Sequence, residues 1–245
     1  MSEIIEGRNP VLEALKSGRP INRIILAQTI ARHSTIAEII QLSRSKNIPI
    51  EYKPRELLEK LSGFGNQGVI AYASAKEYIS LDDLVQISKA KNEKALYCIL
   101  DGIEDPQNLG AIIRTAEASG FHGLIIRSRR EVGLTAAVAK ASAGAVEYVP
   151  VARVINIAQT IETLKKINTW VIGIDPSGKT TYTEVDYNES SAIVIGSEGK
   201  GLSDLVKKRC DLLASIPMRG KINSLNASAS AAIVMYEALR QRSSH

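Results

Sequence analysis

The sequence contains few cysteines, few aromatic residues and no long apolar run. Its two cysteines, Cys98 and Cys210, lie far apart in apolar segments, which excludes a disulfide framework and the close ligand spacing of a zinc site. Eight Tyr, two Phe and one Trp are too few to favour a single-strand binding surface built on base stacking. No run approaches the roughly 18 apolar residues of a membrane span. Because no basic patch precedes an apolar run at the N-terminus, we predict no signal peptide and expect a cytoplasmic protein.

Basic residues are in modest excess over acidic ones. The chain has 245 residues, with 31 Lys and Arg against 26 Asp and Glu, which gives a net charge of +5. This excess permits a nucleic-acid partner without requiring one. Hydrophobic residues make up 44% and charged residues 23%, as is ordinary for a globular protein. The length suits one large domain or two small ones.

Hydrophobic periodicity predicts two α/β domains. Residues 1–75 alternate as α-β-α-β-α-β, residues 76–93 lose this rhythm and are interpreted as a linker, and strands alternate with helices again over 94–245. That alternation predicts a mostly parallel sheet with helices on both faces. The second domain is expected to hold strands at 95–100, 122–127, 147–151, 170–175, 191–197 and 212–217, and to close with a helix over 226–241.

Three loops at the predicted carboxyl ends of these strands have unusual sequences, and ligands bind at such ends in open parallel sheets. The first is DGIEDPQNLGAIIRTAEASG, residues 101–120. Asn108 is a candidate helix N-cap, and Arg114 falls opposite the apolar face beside small residues. A solvated arginine is the plainer interpretation. The alternative is that small neighbours admit a ligand or another chain, and that Arg114 binds a phosphate.

The second loop is IVIGSEGKGLSD, residues 193–204, in which a strand enters a glycine-rich turn. Gly196 and Gly201 have the Walker spacing, but Leu202 stands where that motif needs lysine. Glu198 would repel a phosphate, so an anion cradle is disfavoured, and a tight turn without function remains an alternative.

The third loop is SIPMRGKINSLNASASAA, residues 215–232. Ser224 or Asn226 is the expected N-cap of the closing helix. The Ala/Ser run over 227–232 would allow another backbone to approach closely, which suggests packing against a partner subunit or through a loop. Elsewhere, His33, His122 and His245 are separated and form no metal site, so each is expected to be structural.

Together, these segments resemble the three motifs of the SpoU (TrmH-like) branch of the SPOUT RNA methyltransferases. The matching stretches are N-L-G-A-I-I-R-T-A-E-A-S-G, I-V-I-G-S-E-G-K-G-L and I-P-M-R-G-K-I-N-S-L-N-A-S-A-S-A-A, in the family's order. EGRNPVLEAL and NQGVIAYAS resemble the family's N-terminal substrate-binding domain, which has an L30e-like fold. That extension makes the chain most similar to the RlmB group, which methylates a guanosine ribose in 23S rRNA. One departure is alanine at 227 and 229, where the family often has valine.

The resemblance implies S-adenosylmethionine as cofactor, a deep trefoil knot in the C-terminal domain, a homodimer and an RNA partner. By motif position, the cofactor would bind at Gly196, Ile216, Met218 and Leu225. The catalytic set would be Arg114, Asn108, Glu198, Ser224 and Asn226. The RNA-binding candidates in the first domain are Arg8, Asn9, Asn66 and Gln67.

The implied reaction is attack by a ribose 2′-oxygen on a sulfonium methyl, which needs orientation and removal of one proton. A guanidinium stays protonated in proteins and is a poor base. We therefore expect Arg114 chiefly to bind the adjacent phosphate and stabilise the developing alkoxide, while Ser224 and Asn226 orient the ribose. Two alternatives remain. One is a tRNA or antibiotic-resistance rRNA 2′-O-methyltransferase of the same family; the other is a non-catalytic RNA-binding or ribosome-assembly factor.

Overall fold

The computed structural model describes residues 2–31, 33–62, 65–129 and 131–243. Internal contacts divide these residues into two compact units. The first unit runs up to Glu77 and also takes Leu134–Tyr148 from later in the chain; the second comprises Tyr78–Gly133 and the chain from Val149 onward. The histidine predicted to be structural at position 245 lies outside the described residues.

The first unit is a mixed four-stranded sheet with helices. The sheet has the order β1-β4-β2-β3, in which β4 is antiparallel to β1 and β2, and β2 is parallel to β3. Its apolar core includes Ile5, Leu15, Ile24 and Ile39, all essentially inaccessible to solvent. The elements are β1 Ser2–Glu6, α1 Arg8–Lys16, β2 Ile21–Ala27, α2 Ser34–Ser45, β3 Ile50–Lys53, α3 Arg55–Ser62 and β4 Val69–Ser74.

The second unit contains a seven-stranded sheet of order β7-β6-β5-β10-β8-β11-β9, in which every pair of neighbouring strands is parallel. The α/β class with a large parallel sheet is therefore confirmed, while the knot stays a prediction. The remaining elements are α4 Leu81–Ala90, β5 Leu96–Asp101, α5 Pro106–Ala118, β6 Gly123–Arg127, α6 Ala136–Ala141, a 3-10 helix Ala145–Glu147, β7 Val151–Val154, α7 Ile157–Lys166, β8 Trp170–Ile174, β9 Thr180–Thr181, a 3-10 helix Tyr182–Glu184, β10 Ser191–Gly196, α8 Asp204–Arg209, β11 Leu212–Ser215 and α9 Ala227–Arg242.

Segment 134–148 packs in the first unit through charged contacts. Arg19 donates from Nη1 to Glu147 Oε1 at 2.7 Å and from Nη2 to Glu3 Oε2 at 2.6 Å. Lys140 Nζ lies 2.8 Å from Glu6 Oε1. The Arg19–Glu147 pair is almost fully buried, so removal of Arg19 would take away the donor that Glu3 and Glu147 share.

The strand predicted at 147–151 is wrong over most of that range, where the charged contacts hold a different conformation. Gly144 adopts a φ of 95°, in the left-handed region, and opens the 3-10 helix that carries Glu147. Because Glu147 is committed to Arg19, strand pairing begins only at Val151, where β7 starts. Buried ion pairs of this kind leave no periodic signal in the sequence.

Three element starts also differ from the sequence interpretation. The pattern gave no strand before α1, but β1 lies there and pairs with β4 from Ser2 to Glu6. Asn9-Pro10 is typical of an N-cap followed by proline at the first helical position, but helix α1 begins at Arg8 after Gly7. Helix α5 begins at Pro106, and its N-cap is Asp105 rather than Asn108. The Asn108 side chain is therefore free for contacts outside the helix backbone.

The segment interpreted as a linker, 76–93, is structured. Helix α4 lies within it, and Ser80 and Asp83 form a capping box at its start. Ile79 bridges to Ala152 of β7, and Leu84 is fully buried in the core of the second unit. Helix α4 therefore belongs to the second unit and contributes Leu84 and Val85 to its core.

Two of the histidines have structural roles. His33 is the N-cap of α2, and its Nδ1 accepts from the Thr35 amide at 3.2 Å. His122 is buried and accepts from the Leu96 amide through Nδ1 at 3.1 Å. In the described ranges no helix is long and apolar enough to cross a membrane.

We expect Leu84→Ala to destabilise the second unit by about 2–5 kcal/mol, because it removes a fully buried side chain from a close-packed core. Leu205→Ala on α8 is the control, since Leu205 is 53% exposed; its cost should stay below about 1 kcal/mol. Urea unfolding followed by circular dichroism measures both. Equal effects of the two substitutions would contradict the packing of α4.

Candidate active site

The carboxyl ends of β8, β10 and β11 open into a cavity of about 350 Å³. The loops after these strands supply its walls, as expected for ligand sites in open parallel sheets. Residues from the second and third sequence motifs meet there although they are distant in the chain. The cavity is lined by all four predicted cofactor residues, Gly196, Ile216, Met218 and Leu225, and by Glu198 and Ser224.

A tight turn forms one wall of this cavity. Ser197 and Gly201 exchange two backbone hydrogen bonds, of 3.1 and 2.9 Å. The turn folds back on Gly196 so closely that a Cβ there would lie 2.5 Å from the Gly201 carbonyl oxygen. Only glycine fits at position 196, and its backbone therefore lines the cavity without a side chain.

The side chains of Asn108, Glu198 and Asn226 form one cluster at the edge of the cavity. Asn108 Nδ2 donates to Glu198 Oε1 at 3.0 Å, and Asn226 Nδ2 donates to Asn108 Oδ1 at 3.0 Å and also to Glu198 Oε1. Asn226 Oδ1 accepts from the Ser228 and Ala229 amides and so caps α9. These contacts join one residue from each of the three motif segments.

Arg114 lies apart from this cluster. It is exposed on α5, lines neither this cavity nor the neighbouring one, and makes no side-chain hydrogen bond or ion pair with the described residues. The structure therefore brings together Asn108, Glu198, Ser224 and Asn226 of the predicted catalytic set, and leaves Arg114 on the surface of its own chain.

The RNA-binding candidates in the first unit lie together, with one correction. The Arg8 amide donates to Gln67 Oε1 at 3.1 Å, and Asn9 is exposed beside them. Asn66, by contrast, is only 1% exposed, and its Oδ1 accepts from the Gly68 amide at 2.8 Å. Asn66 supports the turn, and its burial leaves no surface for an RNA contact.

Sequence reasoning missed a buried acidic anchor, Asp101, at the end of β5. Its Oδ2 accepts from both the amide and the hydroxyl of Ser203 at 2.8 Å, and its Oδ1 accepts from Arg127 Nη2 at 2.7 Å. Asp101 thereby ties the far end of the Glu198 turn to β5. A lone acidic residue directly after a buried strand is the signal that could have found it.

Glu131, in the loop after β6, holds the loop after β5. Its carboxylate accepts from the Gly102 amide and from the Arg127 amide, both at 2.8 Å. Burial raises the pKa of Glu131, although the two amides and the Arg127 guanidinium oppose that rise. The loops after β5 and β6 are therefore held against each other at the edge of the site.

Asp175, at the end of β8, is a second missed residue. It lines the cavity with Lys207, whose Nζ lies 2.8 Å from Asp175 Oδ2. Burial alone would raise the pKa of Asp175, but Lys207 and Ser177 outweigh it and hold the pKa below its usual value. The cavity thus contains an ionised carboxylate paired with an ammonium group. Within the described ranges, no three His, Cys, Asp or Glu side chains are grouped as metal ligands.

A glycine turn and polar residues at the strand ends of a parallel α/β domain are typical of a ligand-binding site, and two family models match this chain. The SpoU rRNA methylase family model matches residues 95–236, and the model for RNA 2′-O ribose methyltransferase substrate binding matches residues 4–79. This chain belongs to the SpoU family of RNA ribose 2′-O-methyltransferases. The resemblance seen in its motifs is confirmed.

Similar proteins cover nearly the whole chain. A Bacillus subtilis (strain 168) protein named as a TrmH family tRNA/rRNA methyltransferase, YacO, is 46% identical over 98% of this chain and 96% of its own length. The SpoU methyltransferase AviRb from Streptomyces viridochromogenes, solved with the cofactor AdoMet, is 25% identical over 100% of this chain and 92% of its own, with a TM-score of 0.83. An AdoMet-bound rRNA methyltransferase from Sinorhizobium meliloti is 25% identical over 98% of this chain and 87% of its own, with a TM-score of 0.80.

We expect Asp101→Ala to loosen the 197–203 turn. The substitution removes a charged acceptor of two Ser203 hydrogen bonds, and such bonds contribute about 1.5–3 kcal/mol each. Amide hydrogen exchange of Ser203 should accelerate at least about tenfold. Asp82→Ala on α4 is the control, because exposed Asp82 makes no side-chain hydrogen bond or ion pair in the described structure. Unchanged exchange at Ser203 would refute the anchoring role.

Proposed function

We propose that this chain transfers a methyl group from S-adenosylmethionine to the ribose 2′-hydroxyl of a guanosine in 23S rRNA, acting as a homodimer in the cytoplasm. The observation that carries the proposal is the convergence of Gly196, Glu198 and Ser224 on one cavity, with Asn226 hydrogen-bonded to Glu198 at its edge. Likeness over nearly the whole chain to the Sinorhizobium rRNA methyltransferase supports an rRNA substrate.

The cavity suits this cofactor. Its volume, about 350 Å³, lies in the range of small-molecule sites. Apolar side chains of Ile216, Met218 and Leu225 line one part, and the Gly196 backbone leaves room for close approach. A carboxylate at the cavity edge, Glu198, favours a positively charged sulfonium over an anionic ligand.

When bound, S-adenosylmethionine supplies an electrophilic methyl group whose sulfur departs uncharged, so no acid is needed for the leaving group. The chain supplies orientation and a proton acceptor. Ser224 and Asn226 position the ribose beside Glu198. The two carboxamides that donate to Glu198 Oε1 leave Oε2 open to accept a hydrogen bond from the ribose. This geometry makes Glu198 the group placed to orient the hydroxyl and to take up its proton.

Arg114 is assigned to the RNA backbone. It is an exposed, uncommitted guanidinium on α5, and it lines neither cavity of its own chain. Such a group binds a phosphate bidentately and stabilises negative charge nearby, whereas it is a poor base. Arg8, Asn9 and Gln67 are proposed as further RNA contacts in the first unit.

The homodimer proposal is supported by α9. Ala227 and Ala231 of the Ala/Ser run are buried within the chain, so these two alanines are not available to a partner. Ala229 and Tyr236, two turns apart on the same face of the helix, are both exposed. An exposed aromatic residue and an exposed small residue on one helix face offer a surface on which a second copy can pack.

The function is tested by transfer of labelled methyl groups from S-adenosylmethionine into total RNA, followed by mapping of the modified ribose. We expect one guanosine in 23S rRNA. Label in tRNA alone would contradict the rRNA assignment, and no label in any RNA would contradict the methyltransferase activity.

Arg114→Ala should lower kcat as well as RNA affinity. Near-full kcat with weaker RNA binding would contradict a role of Arg114 at the developing alkoxide.

The cofactor site is tested by a pair of glycine substitutions. Gly196→Ala should abolish measurable binding of S-adenosylmethionine, because its Cβ would collide with the Gly201 backbone and displace the turn. Gly220→Ala, in the third motif segment, should bind normally, since its Cβ would meet only the Ile222 nitrogen at 4.0 Å. Isothermal calorimetry separates the two. Equal affinities would place the cofactor elsewhere.

A further inference from the structure

A second cavity of about 240 Å³ adjoins the first. The loop that follows β5 forms one side of it, from Gly102 to Asp105, and the glycine turn forms the other. Glu198 and Lys200 line both cavities, and Asn108, which donates to Glu198, lines the second. The second cavity therefore begins where the proposed function places the target ribose.

Two charged side chains in the second cavity are uncommitted. Glu104 and Lys200 are exposed, and neither makes a side-chain hydrogen bond or ion pair with the residues that the structure describes. Asp105, which also lines the cavity, already accepts from the Gln107 amide at 3.0 Å as the N-cap of α5. The cavity therefore offers one free pair of carboxylate acceptors and one free ammonium donor to a ligand.

The charges of this cavity select which part of a nucleotide can enter it. A ribose is flanked by its phosphates and its base. Three carboxylates, those of Glu104, Asp105 and Glu198, face the cavity against a single lysine, which disfavours a phosphate. A base is uncharged, and enzymes that act on a nucleotide commonly recognise its base through the Watson–Crick edge.

Among the four RNA bases, guanine alone presents two adjacent N–H donors on that edge, from N1 and N2, next to the O6 acceptor. Adenine places an amino group beside an acceptor nitrogen, cytosine does the same, and uracil has one N–H between two oxygens. A carboxylate has two acceptor oxygens and binds paired donors bidentately. A carboxylate with a neighbouring ammonium therefore complements guanine and mismatches the other three bases.

We propose that the second cavity is the subsite for the target base, in which Glu104 accepts from N1–H and N2–H of guanine and Lys200 donates to O6. This assignment rests on the proposed function, and it makes Glu104 a specificity-determining residue that touches the substrate. Glu104 lines only the second cavity, whereas Lys200 also lines the first, so Glu104 allows the cleaner test.

The test uses the full-length protein and RNA fragments that carry the mapped target nucleotide as guanosine, inosine or adenosine. Glu104→Gln should lower kcat/KM on guanosine by about 5- to 140-fold, the range for loss of a bidentate base contact. Inosine lacks the N2 amino group. The kcat/KM on inosine should therefore be much lower than on guanosine for the original protein, and nearly equal to it for E104Q. Because glutamine pairs an acceptor with a donor, the adenosine-to-guanosine activity ratio should also rise.

The control is Glu117→Gln, at an exposed glutamate on α5 that makes no side-chain hydrogen bond or ion pair in the described structure. It should leave every ratio unchanged, and both variants should bind S-adenosylmethionine with unaltered affinity. The proposal is overturned if E104Q and E117Q behave alike, or if replacing guanosine by inosine lowers kcat/KM equally in the original protein and in E104Q. In those cases methyl transfer to the mapped guanosine persists, whereas failure of the proposed function would appear as a mapped nucleotide other than a 23S rRNA guanosine or as no label in any RNA.

Discussion

The candidate active site depends on the contact of the Glu198 carboxylate with the carboxamides of Asn108 and Asn226. An isolated carboxylate on an exposed glycine turn would keep water as its partner and leave the turn free to move. Two amide donors hold it instead, and one of them, Asn226, simultaneously caps α9 through its oxygen. Hydrogen bonds to a charged acceptor are among the stronger ones in proteins, so this cluster fixes three loops of distant sequence in one arrangement.

Buried acidic residues at the strand ends hold the segments that follow the glycine turn. Asp101 binds Ser203 at the end of the glycine turn, and Asp175 binds Lys207 at the base of the first cavity. Both carboxylates are nearly inaccessible to solvent and are satisfied by charged or backbone donors. Since an unpaired buried carboxylate is costly, each of them strongly disfavours displacement of the loop that it holds.

The regular parts of the fold were predictable because burial imposes a pattern on the sequence. Strands β8 and β10 are nearly continuous apolar runs, and their predicted bounds differ from the observed ones by a residue. The departures share one cause, tertiary contact. Glu147 forms a 3-10 helix because Arg19 binds it, α4 is ordered because Leu84 is buried, and Asn108 is freed because Asp105 caps α5. For the site, motif positions predicted Glu198 and Asn226, whereas Asp101 and Asp175 become visible only when several strand ends are brought together.

The glycine turn is shared by both cavities, and this geometry couples them. Ser197, Glu198 and Lys200 contribute to each, and the turn is anchored at its ends by the Gly196 approach and by Ser203. A ligand that immobilises the turn in the first cavity therefore also immobilises one wall of the second. The conformational entropy lost on ordering the turn then opposes only the first of the two binding events. Binding at the two cavities should accordingly be mutually favourable, with the same coupling free energy measured from either side.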